Sequence, residues 1–423
     1  MSSRRLRWWL VVCMVLQSAL LLVAPVLSTD TFRYIHEARA QRVGLAAPYL
    51  EPPATLSGLR TPLPDDGTSA RVEHRDVAAA YLPAAQLLLL ATVAVGDVVG
   101  APLLPFRLCL LAGLLVVVVG LWRQGRPRSA LLLAVQPLVW LESSMEAHLD
   151  ALSIPLLGVV IGAVGGGVVV VGVALGLLFH VKPVALLLWP LVSRRVRVVA
   201  VIVAVGVSGP HLLSGVLIPP GLVDYGARWR AHALAFPLLE APFSWALHGR
   251  ALAMHVARTG LRINAGDVVL VSIGTVDTAA EVGDRVIWLD AALAAKALAL
   301  AVLIVVVVVV RRRWSVADPP GAAGVVLFSW LLLSPTLHPW YGLWLVVPAA
   351  MTSSRSLRWT LWTFAGLLPL LHQSDLTRAA TGVWEEALWP RVVLVGGSAV
   401  ALIAARLSQR SETRQQQAHS TQP

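Results

Sequence analysis

Long apolar stretches without a charged residue constrain this chain more than any other feature. Ala301–Val310 and Leu114–Leu121 contain no charge, and both lie inside longer hydrophobic runs. Runs of about 20 apolar residues match the thickness of a bilayer's hydrocarbon core. Of the 423 residues, 57% are hydrophobic and 13% are charged, whereas soluble domains have about 45–50% apolar and about 25% charged residues. The sequence therefore excludes a soluble globular enzyme and predicts an all-α, polytopic membrane protein.

The basic residues occur in short clusters between the apolar runs. The formal net charge is +11, from 34 Lys and Arg against 23 Asp and Glu. This pattern follows the positive-inside rule and differs from a groove that contacts nucleic-acid phosphates, so no nucleic-acid partner is expected. The two cysteines, Cys13 and Cys109, lie within apolar runs and provide neither a disulfide framework nor a zinc site.

The basic clusters predict which ends of the membrane spans face the cytoplasm. The clusters expected there are Arg4/Arg5/Arg7, Arg123/Arg126/Arg128, Arg194/Arg195/Arg197, Arg311–Arg313, Arg355/Arg358 and Arg406/Arg410/Arg414. About twelve spans with both termini inside satisfy them: 8–27, 102–122, 129–143, 150–164, 166–181, 183–193, 197–217, 287–310, 321–335, 339–352, 357–372 and 389–407. We place Tyr81–Val95 as a re-entrant or interface helix on the outer face, because a full span there would move Arg123–Arg128 outside.

A single transmembrane domain is predicted over residues 1–407. A polar, Gln-rich tail at 408–423 is expected to be disordered in the cytoplasm. Residues 28–101 and 218–286 form two long outer loops, the first of which contains several proline turn signals. The region 251–286 matches no pattern that predicts its structure.

Ionisable residues collect at the predicted outer ends of the spans. Such side chains at membrane depth cost about 2.5–3.5 kcal/mol on insertion scales and are rarely without a function. A transporter would be expected to place its charges near the midplane on broken helices. The one-sided placement predicts a site that acts on a substrate held in the outer leaflet. This outer set comprises Asp30, Arg33, His36, Glu37, His74, Glu142, Glu146, His148, Asp150, Lys182, Asp224, Arg228, Arg230 and His338.

Three segments of this set have both a functional and a structural interpretation. Asp30 would share a helical face with Arg33 and Glu37, either as a general base or as the cap of an interfacial helix with a solvated ion pair. The segment Glu142–Asp150 could bind a metal or form a polar loop whose last residue caps the next helix. Lys182 has few polar neighbours in sequence, so it either snorkels to the interface or holds a phosphate.

The stretch Ser334–Tyr341 is the most distinctive in the chain. Two prolines interrupt the helical pattern between adjacent spans, and two aromatic residues follow close behind His338. A helix-ending turn accounts for the prolines but not for the histidine together with the aromatic pair. The stretch therefore predicts a functional site.

A set of short motifs runs through the chain in a recognisable order. They are Asp30-Thr31-Phe32-Arg33-Tyr34, Gly44 to Tyr49, His74, Tyr81–Gln86, Gln136-Pro137-Leu138 leading to Glu142, His148 and Asp150, Lys182-Pro183, Tyr225 with Arg228-Trp229-Arg230, and Leu333–Tyr341. In this order they resemble the membrane-embedded GT-C glycosyltransferases, specifically the bacterial polyprenyl-phosphate-sugar-dependent mannosyltransferase-like branch. The resemblance covers nearly the whole chain. The chain departs from it at Leu82, where the family has a proline, at Gln136, where it has Asn, and most of all at Glu146–Asp150.

The resemblance implies an inverting glycosyltransferase at the outer face of the bacterial cytoplasmic membrane. It would move a hexose, expected to be mannose, from a polyprenyl-phosphate donor to the hydroxyl of a glycan or glycolipid acceptor. It implies that Asp30 is the catalytic base and that the substrate-binding residues are Arg33, Tyr34, His74, Glu142, His148, Asp150, Lys182, Arg228, Arg230, His338, Trp340 and Tyr341. No cofactor is predicted, and a divalent metal stays open. The alternatives are a flippase or transporter of lipid-linked sugars and a catalytically inactive GT-C homologue.

Overall fold

The computed structural model describes residues 3–55, 66–162, 165–247, 252–263, 266–275, 286–289, 291–314 and 317–420. Their helices are α1 (Ser3–Leu20), α2 (Asp30–Val43), α3 (Ala47–Leu50), α4 (Pro83–Val98), α5 (Leu104–Arg123), α6 (Pro127–Ala134), α7 (Pro137–Val139), α8 (Ser153–Val160), α9 (Val168–Val181), α10 (Arg194–Leu213), α11 (Pro220–Arg228), α12 (Phe236–Leu247), α13 (Ala291–Arg313), α14 (Pro319–Leu333), α15 (Leu343–Met351), α16 (Arg355–Leu367), α17 (Gln373–Thr381) and α18 (Leu388–Ser420). The three strands are β1 (Leu252–Ile263), β2 (Gly266–Thr275) and β3 (Val286–Leu289).

Four helices of the described residues are long and apolar enough to cross a membrane. They are α5, α10, α13 and the Leu388–Glu412 part of α18. The apolar helices α4, α9 and α14, and the segment Leu149–Val160, are shorter. The predicted helical membrane fold is thus confirmed, whereas the count of twelve spans is not.

Prolines divide several of the predicted spans into shorter helical pieces. Within 129–143 the chain breaks before Pro137, because proline lacks a backbone donor and disfavours the helical conformation of the preceding residue. Gln136 accordingly has an extended backbone. Lys182, which the sequence analysis already placed between the spans 166–181 and 183–193, is likewise extended before Pro183, and Pro183–Leu191 forms a 3₁₀ helix. These breaks bring polar side chains to helix ends inside the bundle.

Several of the arginine clusters predicted to be cytoplasmic meet at one end of the helical bundle, here called the basic end. The Arg7 guanidinium lies 5.7 Å from the centroid of the Trp122 ring. Arg126 donates a hydrogen bond to the last carbonyl of α15, and Arg355 pairs with Glu412 of α18 at 2.6 Å. The helix α18 therefore continues, with contacts to α16, into the tail that the sequence predicts to be disordered.

The opposite end, here called the polar end, contains α2 and α4. Gln86, near the start of α4, donates a hydrogen bond of 2.5 Å to Glu37 of α2. Asp97, near the end of α4, pairs with Arg39 of α2 at 2.7 Å. Both ends of α4 thus contact the middle of α2. The placement of Tyr81–Val95 as a re-entrant or interface helix on the outer face stays a prediction, and α4 is one of the shorter apolar helices.

The described residues between 252 and 289 contain an antiparallel sheet in the order β2-β1-β3. Leu252 of β1 pairs with Thr275 of β2 and with Leu289 of β3. The register of β1 and β2 shifts between Arg258 and Arg262. The sequence assigned no structure to β1 and β2, whereas residues 287–289 of β3 were predicted as the start of the span 287–310, which is wrong because the helix α13 begins only at Ala291.

Candidate active site

A cavity of about 850 Å³ opens at the polar end. Its wall is formed by the chain before and at the start of α2, the loop before α4, the end of α9, α11, the residues after α14, and α17. Nine of the thirteen predicted site residues line it: Asp30, Arg33, His74, Lys182, Arg228, Arg230, His338, Trp340 and Tyr341. The remaining four, Tyr34, Glu142, His148 and Asp150, are buried behind this wall.

Asp30 is the first residue of α2, and its side chain is 31% exposed. The helix has no side-chain cap, because neither Thr29 nor Asp30 bonds an N–H group of the first turn. The Asp30 carboxylate lies 3.9 Å from Nε2 of His148. Burial raises the pKa of Asp30, while the nearby His148 and Arg33 lower it and leave a net rise. The geometry does not support the interpretation of Asp30 as a helix cap.

Alternating carboxylates and imidazoles continue from Asp30 into the protein. His148 Nδ1 lies 2.8 Å from one oxygen of Glu142, and the other oxygen of Glu142 lies 2.8 Å from Nε2 of His372. The Nδ1 atom of His372 lies 2.8 Å from Asp375, which again faces the cavity. We call these five residues the acid–imidazole chain. Its three middle members are almost completely inaccessible to solvent.

Irregular backbone places the middle members of this chain. Glu142 belongs to a π-helical segment, Trp140–Met145, a distortion that often occurs at functional sites. Ala147, directly before His148, has a φ of 57°, which is unfavourable for a residue with a Cβ atom. His372 ends a 3₁₀ helix that follows α16. None of these local features could be predicted from apolar periodicity.

Trp340 packs between two histidines. Its ring stacks on His148 with a centroid distance of 4.0 Å and an interplanar angle of 12°. On the other side it stacks on His338 at 4.5 Å and 3°. The Ser334–Tyr341 stretch is therefore in direct contact with the residue that faces Asp30.

Lys182 has a buried partner that the local sequence did not reveal. Its ammonium group lies 2.8 Å from Asp150, which also accepts a 2.7 Å hydrogen bond from the indole of Trp344. The same ammonium lies 3.3 Å from the centroid of the Tyr341 ring, a cation–π contact. The structure does not support the interpretation of Lys182 as a snorkelling side chain, because the side chain is only 17% exposed and its ammonium group is paired with the buried Asp150.

Arg33 and Glu37 form an ion pair at 2.8 Å, but the pair is not solvated as the structural interpretation required. Glu37 is buried, and Arg33 also donates to the carbonyl oxygens of Glu73 and His74 at 3.2 Å each. These bonds fasten the loop before α4 to α2. His74 in that loop packs edge-on against Trp229 at 4.3 Å, which closes this side of the cavity.

The arginines of the second outer loop lie at the rim of the cavity. Arg228 pairs with Asp224 one helical turn earlier, and its side chain is 70% exposed. Arg230 pairs with Glu240 at 2.6 Å. Both arginines are paired with carboxylates that are only partly exposed, so they contribute less to binding an anion than their positions in the sequence suggested.

Tyr34 and Glu146 have structural contacts. The hydroxyl of Tyr34 lies 3.1 Å from that of Tyr81 and accepts the N–H of Leu149. The carboxylate of Glu146 accepts three backbone N–H groups, those of residues 26, 27 and 28, at 3.0–3.1 Å. Glu146 thus holds the chain that leads into Asp30. In the ranges that the structure describes, no group of three or more His, Cys, Asp or Glu side chains could hold a metal ion.

Sequence reasoning missed His372 and Asp375. They lie in a short polar stretch at the end of the predicted span 357–372, where His372 is followed by Gln, Ser and Asp. This is the same pattern, a polar run at the end of an apolar one, that singled out Glu142–Asp150. The same criterion, applied to the end of the span 357–372, predicts both residues.

The chain's C-terminal third gives a match to a known family. Residues 269–407 match the family model of the MptB C-terminal domain. This match supports the coarse prediction, a mannosyltransferase-related membrane glycosyltransferase. The MptB-like region contributes His338, Trp340 and His372 to the site, whereas Asp30 and Lys182 lie outside it. No curated protein and no solved structure matches the chain.

Proposed function

We propose that this protein is an inverting, GT-C type mannosyltransferase that uses a polyprenyl-phosphate-linked donor. The observation that carries the proposal is that Asp30 and the His338–Tyr341 stretch of the MptB-like region line the same cavity. A carboxylate and a stack of aromatic and imidazole rings are thus combined at one end of an apolar helical bundle. Such a site suits a substrate whose head group is polar and whose tail lies in lipid.

Asp30 is suited to remove the proton of the acceptor hydroxyl. In the described part of the chain its carboxylate accepts no hydrogen bond, so both oxygens are available to a substrate. As the proton passes to Asp30, the acceptor oxygen attacks the anomeric carbon from the face opposite the phosphate. The bond from that carbon to the phosphate oxygen breaks, and polyprenyl phosphate leaves with the electron pair. General-base assistance of this kind accelerates reactions by about 10²–10⁴-fold.

Lys182 is the proposed donor to the leaving phosphate. An ammonium group has three N–H donors, and Asp150 accepts one of them. The group lies in the cavity wall beside Tyr341, so donors remain for a phosphate oxygen. Preorganised donors of this kind stabilise charge that develops in the transition state.

The position of the arginine clusters supports an outer-face site. They gather at the basic end, and the cavity opens at the polar end. Under the positive-inside rule the basic end faces the cytoplasm. The cavity would then open toward the outer leaflet of the bacterial cytoplasmic membrane.

The test is a transfer assay with the purified full chain. Radiolabelled polyprenyl-phosphate-mannose is incubated with membrane acceptors, with and without a chelator, and Asp30→Asn serves as the matched control. We expect label in an acceptor glycan or glycolipid with the unchanged chain and little with the variant. Movement of the intact labelled lipid across vesicles without any transfer would instead establish a flippase.

A further inference from the structure

The acid–imidazole chain contains more buried ionisable groups than base catalysis by Asp30 requires. Asp375, His372, Glu142, His148 and Asp30 follow one another at 2.8, 2.8, 2.8 and 3.9 Å. Each imidazole lies between two carboxylates. Buried ionisable groups are costly unless they are paired, so an alternating series of this length is not expected from packing alone.

The position of Glu142 fixes the orientation of the His148 ring relative to Asp30. One oxygen of Glu142 is fixed by His372, and the other faces Nδ1 of His148. Both ring nitrogens of His148 are fully buried and form no hydrogen bond of regular geometry among the described residues. Nδ1 contacts Glu142 at 2.8 Å as an ion pair, and Asp30 is the carboxylate nearest to Nε2. The Trp340 ring, stacked at 4.0 Å, prevents the imidazole from tilting away.

We propose that Glu142, held by His372, is a positioning residue that keeps His148 as an imidazolium facing Asp30 and so keeps the base ionised. This inference rests on the proposed function of Asp30. Burial by itself lowers the pKa of His148, but the adjacent Glu142 carboxylate outweighs this and raises it. The resulting cation opposes the effect of burial on the pKa of Asp30.

Other charges around Asp30 do not replace this cation. Arg33 lies on the same helix but is engaged by Glu37 and by backbone carbonyls. The ammonium of Lys182 is paired with Asp150. The charged groups that act on Asp30 are Arg33 on its own helix and His148, Lys182, Asp375 and Asp150 on neighbouring elements, and Glu146 additionally acts on His148.

The experiment measures the ionisation of Asp30 without any substrate. Infrared spectra of the full chain and of Asp30→Asn are subtracted over a pH series, which isolates the C=O stretch of the protonated Asp30 carboxyl. The same pair is recorded in a Glu142→Gln background. Since an opposite charge within about 4–6 Å lowers a carboxyl pKa by about 1–3, loss of the imidazolium should raise the midpoint by about 1–3 pH units.

Three further variants separate positioning from structural damage. His148→Gln removes the cation itself and should raise the midpoint as much as Glu142→Gln, which also provides the test if Glu142→Gln does not fold. The double variant should show no additional rise, because Glu142 acts through His148. Asp318→Asn, a hydrogen-bonded carboxylate beside Thr352 and Ser353 away from the cavity, should leave the midpoint unchanged.

An unchanged Asp30 midpoint in both Glu142→Gln and His148→Gln would overturn the proposal. The proposal would also be overturned if Glu142→Gln raised the Asp30 midpoint by the same amount in a His148→Gln background. If the Asp30 midpoint shifts as expected but the Asp30→Asn variant still transfers mannose, the role of Asp30 as base is refuted while the positioning stands. The two measurements therefore distinguish failure of the proposed function from failure of the positioning.

Discussion

Replacement of Asp30 by Asn separates catalysis from structure, because it exchanges only one side-chain oxygen for an amide nitrogen. The substitution keeps the shape of the side chain and removes its ability to accept a proton. Asp30 caps no helix through its side chain, so no cap is lost. Because burial raises the pKa of Asp30, the ionised carboxylate is less favourable in the folded protein than in water, and the uncharged Asn avoids this cost. We expect the free energy of unfolding at neutral pH to be unchanged or slightly higher.

The expected loss of activity is much larger than any effect on stability. Without a general base, turnover should fall by about 10²–10⁴-fold, which corresponds to about 2.7–5.4 kcal/mol of transition-state stabilisation. The donor should still bind, since Lys182, Trp340 and Tyr341 are unchanged. The effect should therefore appear in kcat and not in the donor KM.

Turnover is measured with radiolabelled polyprenyl-phosphate-mannose at saturating donor, and folding is followed by thermal unfolding in detergent. Glu240→Gln, which removes a carboxylate that pairs with Arg230 at the rim, is the matched control and should retain transfer. Near-normal transfer by Asp30→Asn would refute the assignment of Asp30 as base. A fall in transfer that simply follows a fall in melting temperature would favour a structural role.

Three other perturbations test the rest of the arrangement. In a cysteine-free background, Arg75→Cys should react with a membrane-impermeant reagent added from outside and Arg128→Cys should not; the reverse would invert the topology. Lys182→Ala leaves the buried Asp150 carboxylate unpaired, so it should destabilise the protein by about 3–5 kcal/mol. A Lys182→Ala/Asp150→Asn double variant should recover part of this loss. An unchanged melting temperature of Lys182→Ala would show that the ion pair does not stabilise the fold. Transfer should decline as the pH falls through the raised pKa of Asp30, at a higher pH than an ordinary carboxylate requires; a rate that is constant down to pH 4 would contradict this.

Apolar run length and arginine placement were sufficient to predict the membrane class and the separation of the basic clusters from the polar site. Both depend on local composition, which a sequence displays directly. The division of the predicted span 129–143 at Pro137 was not predicted, because a hydrophobic run has the same average apolarity whether it forms one helix or two. The strands at 252–289 were also missed.

Pairings between distant residues account for most of what the sequence could not reveal about the site. Lys182 and Asp150 are 32 positions apart, and no local rule connects them. Glu146 resembled a ligand in the sequence, yet its oxygens are used by backbone N–H groups more than 100 positions earlier. Residue types and their side of the membrane are local properties, whereas partners depend on tertiary packing.

The pairing of Glu142 with His372 also affects how the protein is made. The two residues are 230 positions apart, and a ribosome adds about 5–20 residues per second. Glu142 therefore leaves the ribosome on the order of 10–50 s before its second partner exists. During that interval His148, six positions later and 2.8 Å away in the finished fold, is the partner within reach. While the first half of the chain is made, Glu142 thus has only one of its two imidazole partners, and the site is completed when the last helices bring in His372.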